Sequence, residues 1–136
     1  MKRFVVDTDG SDEVAVCRLI LRTVAADVHQ YETDIPVADP DWPADVAAAA
    51  EALRAVGRTD HGYTMSGTIR TPDLWPAFVT FAPYAYDATV WNASQDIVSL
   101  SDEAQSIVVR LTPAQHALLG SLRLIPEREW RRRRRP

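Results

Sequence analysis

The chain has 136 residues, of which 46% are hydrophobic and 25% are charged. This is the composition of a folded globular domain, and it excludes a chain that is disordered throughout. The formal net charge of −4 disfavours the bulk of the chain as a nucleic-acid binder, because an acidic surface repels phosphate.

Two features of the sequence indicate the compartment. The single cysteine, Cys17, excludes an intramolecular disulfide and fits a reducing environment. Asp7 and Asp9 stand where a signal peptide needs an apolar core, and no apolar run approaches the ~18 residues of a membrane span. We therefore expect a cytoplasmic protein that does not associate with a membrane.

The first part of the chain predicts one strand and two helices. Lys2–Asp7, with its β-branched valines, is typical of a short strand. Apolar residues at three- and four-residue steps predict a first helix over residues 12–31. A second helix is predicted over residues 42–56, with Pro43 in its first turn and Gly57 as its C-terminal cap.

The second part predicts mainly strands. Residues 63–70 alternate between apolar and polar side chains, as a half-buried strand does. Segments 86–91, 97–100 and 106–111 are separated by hairpin-length loops and predict an antiparallel meander. A capping box over residues 112–115 then begins a short helix. The expected fold is α+β, with an antiparallel sheet of about four to five short strands packed against two main helices plus a short C-terminal helix.

The last ten residues differ from the rest in charge. Residues 1–126 hold nine Lys or Arg against seventeen Asp or Glu, a net charge of −8, whereas residues 127–136 carry a net charge of +4. Adjacent guanidinium groups repel one another into solvent, so we expect one globular domain over 1–126 and a basic, disordered tail over 127–136. The chain uses fourteen arginines and one lysine, a bias that a GC-rich bacterial genome would produce.

No sequence motif supplies catalytic chemistry. The three histidines are not spaced as a metal-binding pair, and neither a nucleophile elbow nor a phosphate-binding glycine loop occurs. We expect neither a bound metal ion nor a cofactor. The lack of a catalytic motif also argues against an enzyme. Asp7, at a strand end, and His61, at a strand entry, are the polar groups that a pocket would use.

An aromatic segment over residues 71–86 is harder to interpret. Its spacing predicts a helix face that includes Trp75 and Phe78, yet Pro76 and Pro83 interrupt the pattern. Such local conflicts occur at functional or strained sites. The rings belong either to the core, which we favour, or to a surface that anchors a partner.

Three functions remain open. The first is a protein-binding module, an inhibitor, immunity-like or accessory protein, that binds one partner, possibly basic, through aromatic and acidic residues: Trp75, Phe78, Tyr84, Trp91, Asp96, Asp102 and Glu103. The second is a small enzyme or ligand-binding domain with a pocket between sheet and helices, lined by Trp75, Tyr84 and Trp91 and using Asp7 or His61. The third is anion or nucleic-acid binding through the tail alone, using Trp130, Arg131, Arg132, Arg133, Arg134 and Arg135.

Overall fold

The computed structural model of the chain describes residues 1–36, 41–60, 63–65 and 72–135; residues 58–60 and 63–65 are described by their backbone only. The described residues form an α+β fold, as the sequence predicts. In chain order the elements are β1 (Lys2–Asp7), α1 (Glu13–Val24), β2 (Gln30–Pro36), α2 (Ala44–Arg54), β3 (Arg58–Asp60), β4 (Tyr63–Met65), α3 (Trp75–Phe81), β5 (Asp87–Trp91), β6 (Asp96–Ser101), β7 (Ser106–Leu111), α4 (Pro113–Leu118), β8 (Arg123–Pro126) and α5 (Glu127–Arg133).

The strands form one antiparallel sheet. Six of them, in the order β2-β5-β6-β7-β1-β8, make up its main part, and the short strands β4 and β3 continue it beyond β2. The meander β5-β6-β7 is confirmed. The predicted number of about four to five strands is too low, because β2, β3 and β8 were not anticipated.

The predicted helix over residues 12–31 is too long. Helix α1 ends at Val24, and Gln30–Pro36 is strand β2, in which Tyr31, Thr33 and Ile35 are buried and the residues between them are partly exposed. This alternation is a strand pattern, and pairing with β5 satisfies the strand's backbone. The pairing of β2 with β5 therefore outweighs the helical spacing of apolar residues, which continues in the sequence from α1 to Tyr31.

The hydrophobic core lies on one face of the sheet, together with helices α1, α2 and α3. Because strand residues alternate between faces, the residues between the core positions form a second face, here called the outer face. The pairing register places six residues of neighbouring strands side by side in one row across the outer face: Glu32, Thr89, Ser99, Val108, Val5 and Ile125. The first four of these side chains are partly exposed, and three of the four are polar. This part of the outer face is therefore more polar than the core face.

Residues 127–133 form helix α5, where the sequence predicts a disordered tail. Two ion pairs at i,i+4 spacing support the helix: Glu127 with Arg131 at 2.8 Å, and Glu129 with Arg133. An acidic residue four positions before a basic one also matches the direction of the helix dipole. The charges that predict a solvated segment therefore also stabilise a short helix.

The turn between β6 and β7 has an uncommon backbone. Asp102, Glu103 and Ala104 have φ values of 54°, 57° and 63°, in the left-handed region that residues with a Cβ adopt at a cost. The turn is held because the Asp102 N–H donates to the Tyr86 carbonyl at 2.8 Å and the Glu103 N–H donates to the Ala85 carbonyl at 2.9 Å. These bonds fix two carboxylate-bearing residues at the end of the sheet.

Replacing Glu103 with glycine should raise the free energy of unfolding by about 1 kcal/mol, because glycine adopts positive φ without a steric penalty. Glu103 is exposed, so little packing is lost. Urea denaturation of Glu103→Gly and Glu103→Val provides the measurement, and the valine variant should be less stable than wild type. A glycine variant that is no more stable than the valine variant would contradict the assignment of a strained turn.

Candidate partner-binding site

Four carboxylates lie at one end of the sheet and are here called the acidic end: Asp34, Asp87, Asp102 and Glu103. The fold brings them together because β2 pairs with β5 and β5 pairs with β6, with Asp87 opposite Ser101 at the start of the turn. Asp87, Asp102 and Glu103 are exposed, and Asp34 is half-buried. The site is thus assembled from residues far apart in the sequence.

Asp34 fixes the geometry of the acidic end. Its Oδ1 accepts hydrogen bonds from the Tyr86 N–H at 3.1 Å and the Asp87 N–H at 3.2 Å. Burial raises the pKa of Asp34, and the neighbouring charge of Asp87 raises it further, while the backbone N–H groups of Asp87, Tyr86 and Asp34 itself oppose the shift. Asp34 therefore joins the end of β2 to the start of β5 and carries a charge that is partly removed from water.

The charge of the acidic end is not neutralised by the described part of the chain. None of the four carboxylates is in a salt bridge there, whereas Asp7, Asp96 and Glu127 each face an arginine. Like charges near a surface of low dielectric produce a local negative potential. Among the described residues, the acidic end is therefore a surface of negative potential that attracts cationic groups.

Replacing Asp34 with asparagine should change how stability depends on pH. A carboxyl group whose pKa is raised in the folded state stabilises the fold below its unfolded pKa, and this contribution is lost as pH rises through the folded pKa. The neutral amide of the variant can accept the same two N–H bonds without this loss. The stability of Asp34→Asn relative to wild type should therefore increase from about pH 3 to about pH 7 in urea denaturation. A constant difference across this range would contradict the raised pKa.

Asp96 is separated from the other predicted acidic contacts. It begins β6, at the opposite end of the strand from Asp102, and its Oδ1 lies 3.9 Å from Arg110 Nη2. Trp91 pairs with Asp96 in the sheet and is half-buried. The structure therefore places Asp102 and Glu103 together, and Trp91 and Asp96 together at the other end of β5 and β6.

The aromatic segment contributes mainly to the core. Phe78 has 0% of its surface exposed, and its ring lies 4.7 Å from that of Tyr31 and 5.4 Å from that of Trp75. Pro76 is accommodated because α3 begins at Trp75, so this proline falls in the first turn, where no N–H is needed. In this conformation Phe78 offers no surface to a partner, while Trp75 and Tyr84 are half-buried against the core.

Two of the residues expected to share one pocket, Asp7 and Trp75, line separate cavities, and neither cavity is lined by Tyr84 or Trp91. Asp7 lines a cavity of about 310 Å³ beneath α5, and Trp75 lines another of about 260 Å³ with His29 and Tyr31. His61 lies outside the described residues. Within the described ranges, no group of three or more His, Cys, Asp or Glu could hold a metal ion. Burial raises the pKa of Cys17 to about 12, so its thiol stays protonated and is a poor nucleophile.

Two further observations concern the chain as a whole. Comparison of the chain with protein-family models, with curated proteins and with solved structures found no match. None of the helices in the described part of the chain has both the length and the apolar character that crossing a membrane requires.

Proposed function

We propose that the protein is a protein-binding module, of the inhibitor, immunity-like or accessory kind, that holds one basic partner against the outer face of its sheet. The observation that carries the proposal is the acidic end, where Asp34, Asp87, Asp102 and Glu103 lie together without a described cation. A basic partner would complement this negative charge and would be steered to this end of the sheet.

The outer face supports a broad contact rather than a buried reaction site. Thr89 and Ser99 present small polar side chains along its middle, and Trp91 offers a half-buried ring at the end opposite the acidic end. Aromatic rings of this kind are frequent anchors of protein interfaces. The buried free thiol of Cys17 is compatible with the reducing cytoplasm in which we place the protein.

The proposal is tested by capturing partners from the native host with three full-length baits. The baits are wild type, an acidic-end variant (Asp87→Asn, Asp102→Asn, Glu103→Gln) and a control variant (Asp41→Asn, Glu51→Gln, Asp73→Asn). Both variants lose three exposed carboxylates, but the control carboxylates precede or belong to the helical elements. We expect one basic protein on wild type and control that the acidic-end variant does not retain. Equal retention on all three baits would reject the acidic end as the contact.

A further inference from the structure

The cavity of about 260 Å³ lies at the start of β2 and is here called the aromatic cavity. Six residues line it: Ala25, Val28, His29, Tyr31, Pro72 and Trp75. Tyr31 is buried, so it forms the floor, and the half-buried Trp75 forms a wall. The centroids of these two rings lie 5.1 Å apart and their planes are inclined at 66°. The cavity therefore has an aromatic floor and an aromatic wall that meet at a steep angle.

The core supports these two rings from behind. Phe78 is fully buried, is not among the lining residues, and stacks on Trp75 with the two planes 22° apart. Its ring also lies 4.7 Å from that of Tyr31. One side of the Trp75 ring is thus packed on the core, and the part that remains accessible lines the cavity. Rings that are already in place cost little conformational entropy when a ligand binds.

Asp73 adds a negative charge beside the aromatic cavity. It is exposed and directly follows Pro72, which lines the cavity. Burial, and then the nearby charge of Asp73, raise the pKa of Tyr31 to about 12. The lining residues include neither lysine nor arginine, and Asp73 is in no salt bridge within the described ranges. Because the faces of aromatic rings are also negative, the cavity suits a positive charge that carries apolar groups.

We propose that the aromatic cavity binds a small alkylated ammonium ion, with the cationic head against the rings of Tyr31 and Trp75 and near the carboxylate of Asp73. An ammonium ion that carries methyl groups gains cation–π attraction and apolar contact from the two inclined rings. The volume is below the ~300–1,000 Å³ of pockets for drug-sized ligands, so the cavity admits a head group with a short chain. The site lies towards the other end of β2 from Asp34 and goes beyond the proposed function.

The probe is choline, and the control for its charge is the uncharged isostere 3,3-dimethyl-1-butanol. Both are titrated into the full-length protein, and binding is followed by NMR on the amide signals of His29 and Tyr31. We expect saturable shifts with choline, with a dissociation constant in the millimolar range, and binding about fivefold weaker for the isostere. Equal affinities for the two compounds would overturn the inference. Binding of a trimethyl-lysine peptide without binding of choline would overturn a small ligand.

Single substitutions locate the site. Asp73→Asn and Asp102→Asn each remove one exposed carboxylate, but only Asp73 acts on Tyr31. We expect Asp73→Asn to weaken choline binding about threefold and Asp102→Asn to leave it unchanged. Trp75→Leu keeps an apolar wall without the ring, so it should weaken choline binding about fivefold and affect the isostere less. Equal effects of Asp73→Asn and Asp102→Asn would contradict the site, and this comparison decides even if Trp75→Leu does not fold.

The baits of the capture experiment separate this site from the acidic end. The acidic-end variant keeps Asp73, so it should bind choline as wild type does. The control variant lacks this carboxylate, so it should bind choline more weakly while it retains the partner. Absence of choline binding to wild type would overturn the inference and leave the proposed function standing. Choline binding that was lost from the acidic-end variant would overturn the placement of the site.

Discussion

Replacing Phe78 with alanine should lower the free energy of unfolding by about 3–5 kcal/mol, because the ring is fully buried and its removal leaves a cavity that neighbouring side chains fill only in part. Two aromatic contacts, with Tyr31 and Trp75, are lost as well. Urea denaturation followed by circular dichroism provides the measurement. In a domain of this size such a loss is a large share of the total stability.

The control for this prediction is Leu118→Ala. Leu118 is apolar but 75% exposed on α4, so its truncation should change the free energy of unfolding by less than about 0.5 kcal/mol. If Phe78→Ala were as stable as Leu118→Ala but no longer bound the partner, the ring would be a contact residue and not part of the core. The two variants therefore separate the two interpretations of the aromatic segment.

Neutralising the acidic end with Asp87→Asn, Asp102→Asn and Glu103→Gln should raise the dissociation constant for the partner about tenfold or more. The three carboxylates are exposed at the same end of the sheet as Asp34, so their removal takes away three of the four negative charges there. Isothermal titration calorimetry on the captured partner provides the measurement. The control variant (Asp41→Asn, Glu51→Gln, Asp73→Asn) has the same net charge and should change the constant by about twofold at most.

The parts of the fold that depend on local sequence could be predicted. The capping box is confirmed, with the Gln115 N–H donating to Thr112 Oγ1 at 3.2 Å and the Thr112 N–H donating to Gln115 Oε1 at 3.0 Å. Helix α2 was anticipated, but the predicted range of 42–56 is too long: the helix spans Ala44–Arg54, with Pro43 at its N-cap and Ala55, not Gly57, at its C-cap. Turn and capping signals act over three or four residues, so they can be read without knowledge of tertiary contacts.

The acidic end could not be predicted as a unit. Asp34 bonds to residues 52 and 53 positions away, and it lies in strand β2, whose first residues fall within a predicted helix. Asp102 and Glu103 were selected because they lie in a loop of the predicted meander, but their neighbours depend on which strands pair. The alternation from Tyr31 to Ile35 is the signal that could have revealed β2 and, with it, Asp34.

The C-terminal segment is the opposite case. Its sequence contains a helical pattern, but its high positive charge favoured the prediction of a disordered tail. The spacing of Glu127 to Arg131, and of Glu129 to Arg133, is the i,i+4 pattern of a helix. The run of arginines alone favoured a solvated segment. Which arginines line the cavity beneath α5 depends on where α5 begins after β8, and only the fold supplies that position.

The most direct test of the acidic end is the rate of association with the captured partner, measured by stopped flow at about 50 mM and about 500 mM salt. Wild type should associate about tenfold faster than the acidic-end variant at low salt, and this ratio should fall towards one at high salt, where the Debye length is only a few ångströms. The control variant should follow wild type at both concentrations. Equal low-salt rates for wild type and the acidic-end variant would contradict the claim that this end of the sheet receives the partner.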